Sequence, residues 1–193
     1  KDFGGAAERG GQLIASQESL PLQDLVRLFN NYSNNFMAEA VFFALGAKEG
    51  EAASPERARQ VITEFFQSQS SCKSSSMSNG SGLAWDTRIS ARCFTELFTK
   101  AYREFHSFAD LLGSLPAGAQ TGTLKSRFKR SGNGFQPVSV RGKTGTLWSQ
   151  QVVTSLTGIT RTESGEKVVF SLIENDQRND PGLLRGLKDW EDR

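Results

Sequence analysis

Three consecutive β-branched segments in the last third of the chain constrain its fold most strongly. They span residues 138–147, 151–160 and 166–174, and the last two flank a Glu-Ser-Gly turn at residues 163–165. Short strand-forming segments joined by a glycine-containing turn are typical of an antiparallel hairpin. Such a sheet needs helices or a second sheet to cover one of its faces.

The part of the chain before this sheet shows helical periodicity. Apolar residues recur at three- to four-residue spacing, and Ser54-Pro55-Glu56 is typical of a capped helix start. These patterns predict helices at residues 22–31, 36–45, 55–67 and 90–105, with a closing helix at 182–190. They also predict a short strand at residues 12–16 and loops at 67–80 and 111–122. Helices first and an antiparallel sheet later predict an α+β fold.

Composition argues against several functions. The formal charge of +2 is too small to indicate a nucleic acid partner, and we expect the basic residues at 125–130 to form a solvated face. His106 is the only histidine, which argues against a multi-histidine metal centre and a Ser-His-Asp triad. No apolar segment is long enough to span a membrane. The spacing of the only two cysteines, Cys72 and Cys93, leaves open whether they form a disulfide.

The motif Lys143-Thr144-Gly145 lies on the first predicted strand and is followed by Thr146. A lysine on a strand edge provides a fixed cation for a substrate carboxylate, and threonine hydroxyls can bind the same group. Glycine lets the backbone of a ligand approach closely. The tripeptide is one of three motifs of penicillin-binding proteins and serine β-lactamases, although alone it is more often structural than catalytic.

A second motif, Ser-x-Asn, occurs twice, at residues 33–35 and 131–133. The later copy lies in a glycine-rich basic loop, where a turn is the better explanation. Ser33 and Asn35 lie in a short break between two apolar helices, which would present a hydroxyl and an amide rigidly. Helix capping by Ser33 or Asn34 is an equally good explanation of the same residues.

Longer segments around these motifs carry a family resemblance. In chain order they are SLPLQDLVRLFNNYSNNFMAEAVFFALG, NGSGLAWDTRIS, LPAGAQTGTLKSRF and VRGKTGTLWS. Together they closely resemble the low-molecular-mass class C penicillin-binding proteins, which are D-alanyl-D-alanine carboxypeptidase/endopeptidases. The resemblance implies that residues 13–193 are the carboxy-terminal part of a single D,D-peptidase domain with the β-lactamase/penicillin-binding transpeptidase-like fold. Residues 1–12 are expected to be a loop or ragged end.

The resemblance also implies catalytic roles for three residues. Ser33 resembles the serine that relays a proton between the nucleophile and the leaving amine. Asn35 resembles the amide that holds the acyl-side peptide. Lys143 resembles the lysine that lowers the proton affinity of the relay and attracts the terminal carboxylate of the substrate.

Further residues are implied to bind substrate. Thr144 and Thr146, on either side of Gly145, would bind the terminal carboxylate, and the Thr146 N–H would form half of an oxyanion hole. Leu83 and Trp85 fall where the family lines its pocket for the penultimate side chain. Trp85 stands in place of the usual arginine, which leaves recognition of an acidic, diaminopimelate-type stem open.

The family's nucleophile belongs to a Ser-x-x-Lys motif upstream of Ser-x-Asn. Here that pattern starts at Ser70, Ser126 and Ser164, always downstream of Ser33. None of the three is expected to have a buried lysine one helical turn away. The chain begins at Lys1 without an initiator methionine. We therefore expect the nucleophile to lie in an upstream segment that is missing from this chain.

The complete protein is thus expected to cleave D-alanyl peptide bonds of peptidoglycan through an acyl-serine intermediate that β-lactams trap. It would need no cofactor and would act in the periplasm or elsewhere outside the cytoplasmic membrane. Its expected partners are peptidoglycan stem peptides, β-lactams and the upstream segment. The alternatives are a relic that binds D-alanyl peptides without hydrolysis, or a serine β-lactamase. The stem peptide, the balance of carboxypeptidase and endopeptidase action, and the oligomeric state do not follow from the sequence.

Overall fold

The structure, a computed structural model, describes residues 12, 14–47, 53–129, 140–149, 151–162 and 164–176, with the backbone alone at residues 105–107. Within these residues, α-helices come first and an antiparallel sheet follows. The helices are α1 (Leu22–Tyr32), α2 (Asn35–Leu45), α3 (Pro55–Gln67), α4 (Ala91–Arg103) and α5 (Phe105–Ser114). The strands are β1 (Arg141–Trp148), β2 (Val152–Arg161) and β3 (Lys167–Asp176), and a short 3-10 helix, Gly122–Leu124, precedes them.

Local capping explains why the helices begin where the sequence predicts them. The Ser54 hydroxyl accepts a hydrogen bond from the Arg57 N–H at 3.3 Å, ahead of a proline in the first turn of α3. The Ser90 hydroxyl accepts one from the Cys93 N–H at 3.1 Å and starts α4. Such caps satisfy backbone donors that have no partner within the helix. The predictions of α1 to α4 are confirmed, with small differences at their ends.

The predicted loop at residues 111–122 is wrong in its first part, because residues 111–114 belong to α5. This ten-residue helix packs against α1 and α4, and that tertiary contact stabilises a segment of weak helical pattern. The helix ends at Ser114 because Leu115 precedes Pro116, whose ring disfavours helical backbone at the preceding residue. Leu115 is accordingly extended, with ψ 140°.

The predicted strand at residues 12–16 is also wrong over its described part. Residues 14–16 form no strand, and the side chain of Ile14 is 97% exposed. A strand of this length needs a pairing partner and a surface to cover, and neither is present there among the described residues. The predicted helix at 182–190 and the Ser-x-Asn copy at 131–133 lie outside the described residues.

The three strands pair antiparallel in the order β1-β2-β3, as the hairpin pattern predicts. Gly165 in the predicted turn has φ 86°, which glycine adopts without steric cost. Helix α4 packs against β2 and β3. The buried side chains of Leu124, Val140 and Leu156 join the 3-10 helix to the sheet. The α+β prediction is therefore confirmed.

A disulfide forms a second centre of packing. Cys72 and Cys93 are both fully buried and bonded to each other, and Phe66 of α3 packs beside them. The bond ties the polar loop after α3 to the first turn of α4, which resolves the alternative that the sequence left open. No helix among the described residues is both long enough and apolar enough to cross a membrane.

Candidate active site

Ser33 lies between two helices in a backbone conformation that few side chains adopt. Its φ and ψ are 53° and 49°, in the left-handed region, directly after the last residue of α1. The next residue, Asn34, accepts a hydrogen bond from the Met37 N–H at 2.9 Å and caps α2. The side chain that caps the helix is therefore Asn34, which leaves the exposed hydroxyl of Ser33 available for another partner.

That partner is Lys143 on β1. Its Nζ donates a hydrogen bond to the Ser33 Oγ at 2.8 Å, across 110 residues of sequence. A second hydrogen bond, of 2.6 Å, runs from the same Nζ to the carbonyl of Thr144 and fixes the direction of the lysine. The fold thus brings together one residue from each of the two motifs that the sequence singles out.

The environment of Lys143 changes its acid–base behaviour. Burial disfavours the charged ammonium and lowers the pKa of Lys143 below the ordinary lysine value of 10.5. A lysine that donates to the Ser33 Oγ stabilises negative charge on that oxygen and so lowers its proton affinity. This pair can therefore pass a proton more readily than an isolated serine hydroxyl.

The Lys-Thr-Gly segment runs along the edge of the described sheet, because β1 is the first strand in its order. The Gly142 N–H donates to the Pro116 carbonyl at 3.0 Å, on the side of β1 away from β2. Backbone groups of alternate residues point to the same edge of an antiparallel strand. The N–H groups of Thr144 and Thr146 therefore also point away from β2, to the edge where an extended ligand can pair.

Thr144 has a hydroxyl partner that sequence reasoning missed. Its Oγ1 donates to the Oγ1 of Thr123, in the 3-10 helix, at 2.8 Å. Thr123 lies in one of the four segments that carry the family resemblance, but no motif singles it out. Only the fold shows that it is next to the Lys-Thr-Gly strand.

The remaining predicted site residues lie on α2 and on the loop beside it. Asn35 is the first residue of α2 and is exposed, two residues after Ser33. The loop that carries Leu83 and Trp85 is held to α2 by a 2.9 Å hydrogen bond from the Ser81 N–H to Glu39. Leu83 is 52% exposed and Trp85 is partly buried.

The serines of the three Ser-x-x-Lys patterns have other surroundings. The Ser70 hydroxyl and N–H both donate to the Glu96 carboxylate on α4, at 3.0 and 2.9 Å. Ser126 and Ser164 are exposed residues in turns. Ser70 is therefore engaged away from Lys143, and none of the three begins a helix. Among the described residues, no group of three or more His, Cys, Asp or Glu side chains is placed to hold a metal ion.

Comparisons with known proteins agree with this fold. A sequence model of the D-Ala-D-Ala carboxypeptidase 3 (S13) family matches residues 4–193. Carboxypeptidase DacB of Mycolicibacterium smegmatis is 30% identical over 171 residues, which cover 87% of this chain and 36% of that protein. The chain thus spans little more than a third of the length of this relative.

Solved structures share the fold. Penicillin binding protein 4 (dacB) from Haemophilus influenzae, complexed with a β-lactam, matches with a TM-score of 0.74 and 23% identity. The match covers 96% of this chain and 44% of that one. The TLA-3 extended-spectrum β-lactamase matches with a TM-score of 0.59 and 16% identity, over 90% of this chain and 66% of the other. The predicted transpeptidase-like fold is confirmed.

Proposed function

Because this chain belongs to the D-Ala-D-Ala carboxypeptidase 3 (S13) family, we propose that it is the carboxy-terminal part of one serine D,D-peptidase domain. The complete domain cleaves D-alanyl peptide bonds of peptidoglycan, as a carboxypeptidase, an endopeptidase or both. The observation that carries the proposal is the 2.8 Å hydrogen bond between Lys143 and Ser33, because it joins the two motifs in one proton-transfer pair.

The reaction forms and then breaks an ester with a serine. The nucleophilic Oγ attacks the carbonyl carbon of the penultimate D-alanine, and its proton passes to Ser33. Ser33 gives a proton to the amide nitrogen as the C–N bond breaks, and the D-alanyl leaving group departs as an amine. Water then hydrolyses the acyl-serine ester and restores the hydroxyl. Lys143 assists because its hydrogen bond to the Ser33 Oγ eases loss of the serine proton.

The other residues hold the substrate. Thr144 and Thr146 bind the terminal carboxylate, with Gly145 allowing close approach, and the outward N–H of Thr146 forms half of the oxyanion hole. Asn35 holds the acyl-side peptide from the start of α2. The alternation of backbone groups along β1 supports this arrangement, because it directs the Thr146 N–H to the ligand side of the strand.

Leu83 and Trp85 line the pocket for the penultimate side chain. An indole has no positive charge to pair with a carboxylate. We therefore expect Trp85 to favour stems whose side chain at this point is neutral. Turnover of matched peptides that differ only in whether this side chain carries a carboxylate would test the preference, and faster turnover of the acidic peptide would contradict it.

We place the nucleophile outside these 193 residues, in a Ser-x-x-Lys motif of the longer protein. Two observations support this. The chain spans only 36% of the length of its relative, and Ser70 is engaged by Glu96 rather than by a lysine. β-Lactams would acylate that serine, which accords with the β-lactam complex of the Haemophilus influenzae protein.

The site of action is outside the cytoplasmic membrane. Peptidoglycan lies there, and the buried bond between Cys72 and Cys93 accords with an oxidising compartment, because cytosolic thiols are usually kept reduced. The partners are stem peptides, β-lactams and the nucleophile-bearing segment.

Kinetics of the full-length protein test the proposed roles. We expect Ser33→Ala and Lys143→Ala each to lower the second-order rate of acylation by labelled penicillin by about 10²–10⁴-fold, the usual effect of removing a positioned proton-transfer group. Lys167→Ala is the matched control, because this exposed lysine lies on the same sheet and contacts Tyr102 instead. Equal rates for the three variants would overturn the assignment. A wild-type protein that binds D-alanyl peptides without acylation or hydrolysis would be a binding relic.

A further inference from the structure

Thr123, in the 3-10 helix before the sheet, contacts the Lys-Thr-Gly motif through its side-chain hydroxyl. Its Oγ1 accepts the hydrogen bond from the Thr144 Oγ1 at 2.8 Å, and the pair is partly buried. The Lys143 side chain donates a hydrogen bond to Ser33, and the side chain of its neighbour Thr144 donates one to Thr123. The two side chains of the motif are therefore each fixed by a hydroxyl from another element.

The backbone around Thr123 is held tightly against the end of α1. Gly122 has φ 54°, and a Cβ there would lie 2.4 Å from the carbonyl oxygen of Asn31, so only glycine allows this approach. The Asn31 amide in turn donates to the Ser114 carbonyl at 2.8 Å. On the other side, Leu124 is fully buried against the sheet. Thr123 therefore lies in a tightly packed segment between Asn31, near the end of α1, and β1, the strand that carries Lys143.

The chemistry of two adjacent hydroxyls indicates what this contact can do. A hydroxyl has one donor proton and two acceptor lone pairs, so a hydroxyl that gives its proton to a ligand can accept a proton from its neighbour. In the structure Thr144 donates to Thr123. If Thr144 gave its proton to a bound anion, the Thr123 hydroxyl could donate to the Thr144 oxygen in return. Hydrogen bonds in such a chain polarise and strengthen each other.

We propose that Thr123 is a positioning residue for recognition of the substrate's terminal carboxylate, acting through Thr144. It fixes the rotamer of Thr144 and supplies the proton that makes Thr144 a stronger donor to the carboxylate. This inference rests on the proposed function, because it takes the carboxylate of a D-alanyl peptide or of a penicillin as the group that Thr144 binds.

The test compares two probes that differ only in that carboxylate. Full-length wild-type and variant proteins are acylated by benzylpenicillin and by its methyl ester, and the ratio of the two second-order rates reports recognition of the carboxylate. We expect Thr123→Val, which keeps the shape but removes the hydroxyl, to lower the rate for benzylpenicillin about three- to ten-fold and to leave the ester rate unchanged. Thr123→Ser keeps the hydroxyl and should restore the ratio.

A control on the same loop separates positioning from folding. Thr121 accepts a hydrogen bond from the Ala117 N–H at 2.9 Å, away from Thr144, so Thr121→Val should leave the ratio unchanged. Thr123→Ala provides a second variant should valine disturb folding, which melting temperatures report. If the ratio is unchanged in both Thr123→Val and Thr123→Ala, whether or not both rates fall, this inference is wrong while the proposed function stands. A wild-type protein that neither probe acylates would overturn the proposed function and this inference with it.

Discussion

The neighbours Ser33 and Asn34 have different roles in one short motif, since one contacts Lys143 and the other caps a helix. The sequence allows either residue to cap the following helix. In the structure the Asn34 side chain accepts from the Met37 N–H, and the Ser33 hydroxyl accepts from Lys143. The two side chains point in different directions because the left-handed backbone of Ser33 turns the chain between α1 and α2.

Substitution of these neighbours should therefore have opposite effects. We expect Asn34→Ala to lower the free energy of unfolding by about 1 kcal/mol, the usual cost of losing a helix cap, with little change in acylation by penicillin. Ser33→Ala should have little effect on stability and a large effect on acylation. Denaturant unfolding and acylation kinetics of both variants provide the measurement, and a pair of variants with the same profile would contradict this division.

The pH dependence of activity should report Lys143. The charged form attracts the substrate carboxylate, so activity falls as the pH rises through the pKa of Lys143. Because burial lowers this pKa, we expect the alkaline limb of kcat/KM to lie below the ordinary lysine value of 10.5. An arginine does not lose its charge in this range, so the residual activity of Lys143→Arg should lack the limb. A limb at the same pH in both proteins would assign it to another group.

Among the helices, the side chain at the start of a helix predicts its first residue, which the spacing of apolar residues alone does not. Ser54 and Ser90 mark helix starts because their hydroxyls bond to backbone donors three residues on. Helix α5 could not be predicted in this way. No side-chain cap marks its start, and its stability comes from packing on α1 and α4, which the sequence does not show.

Alanine substitutions at two glycines test how closely the chain packs at each position. A Cβ on Gly80 would lie 2.5 Å from both the Ala38 carbonyl oxygen and the Phe42 Cβ, so the loop could no longer lie flat on α2. We expect Gly80→Ala to destabilise the protein by about 1–3 kcal/mol. Gly113 in α5 has open space around its Cβ position, so Gly113→Ala should stabilise by about 0.5–1 kcal/mol. Denaturant unfolding measures both, and equal values would contradict the packing of this loop.

The disulfide should contribute to stability, because it links the loop after α3 to α4 across a sequence separation of 21. We expect the Cys72→Ala/Cys93→Ala variant to lose about 2–4 kcal/mol in the free energy of unfolding. A reducing agent should lower the unfolding midpoint of the wild-type protein and leave that of the double variant unchanged. The same midpoint for both proteins under oxidising conditions would contradict a structural role for the bond.

At the scale of the whole molecule, the order of elements and the family could be predicted, but the contacts between distant segments could not. Their motifs predict Lys143 and Ser33 as site residues, and the structure adds the hydrogen bond that joins them across 110 residues. Thr123 carries no motif of its own, so its contact with Thr144 follows only from the packing of Gly122 on α1. The roles of Asn35, Leu83 and Trp85 stay predictions.

We propose that this chain completes a serine D,D-peptidase whose nucleophile lies on another segment of the protein. Intact mass spectrometry of the full-length protein, with and without a labelled penicillin, followed by mapping of the labelled peptide, tests this proposal. We expect one acyl adduct on a serine of a Ser-x-x-Lys motif outside these 193 residues. An adduct on Ser70, Ser126 or Ser164, or no adduct on any serine, would contradict it.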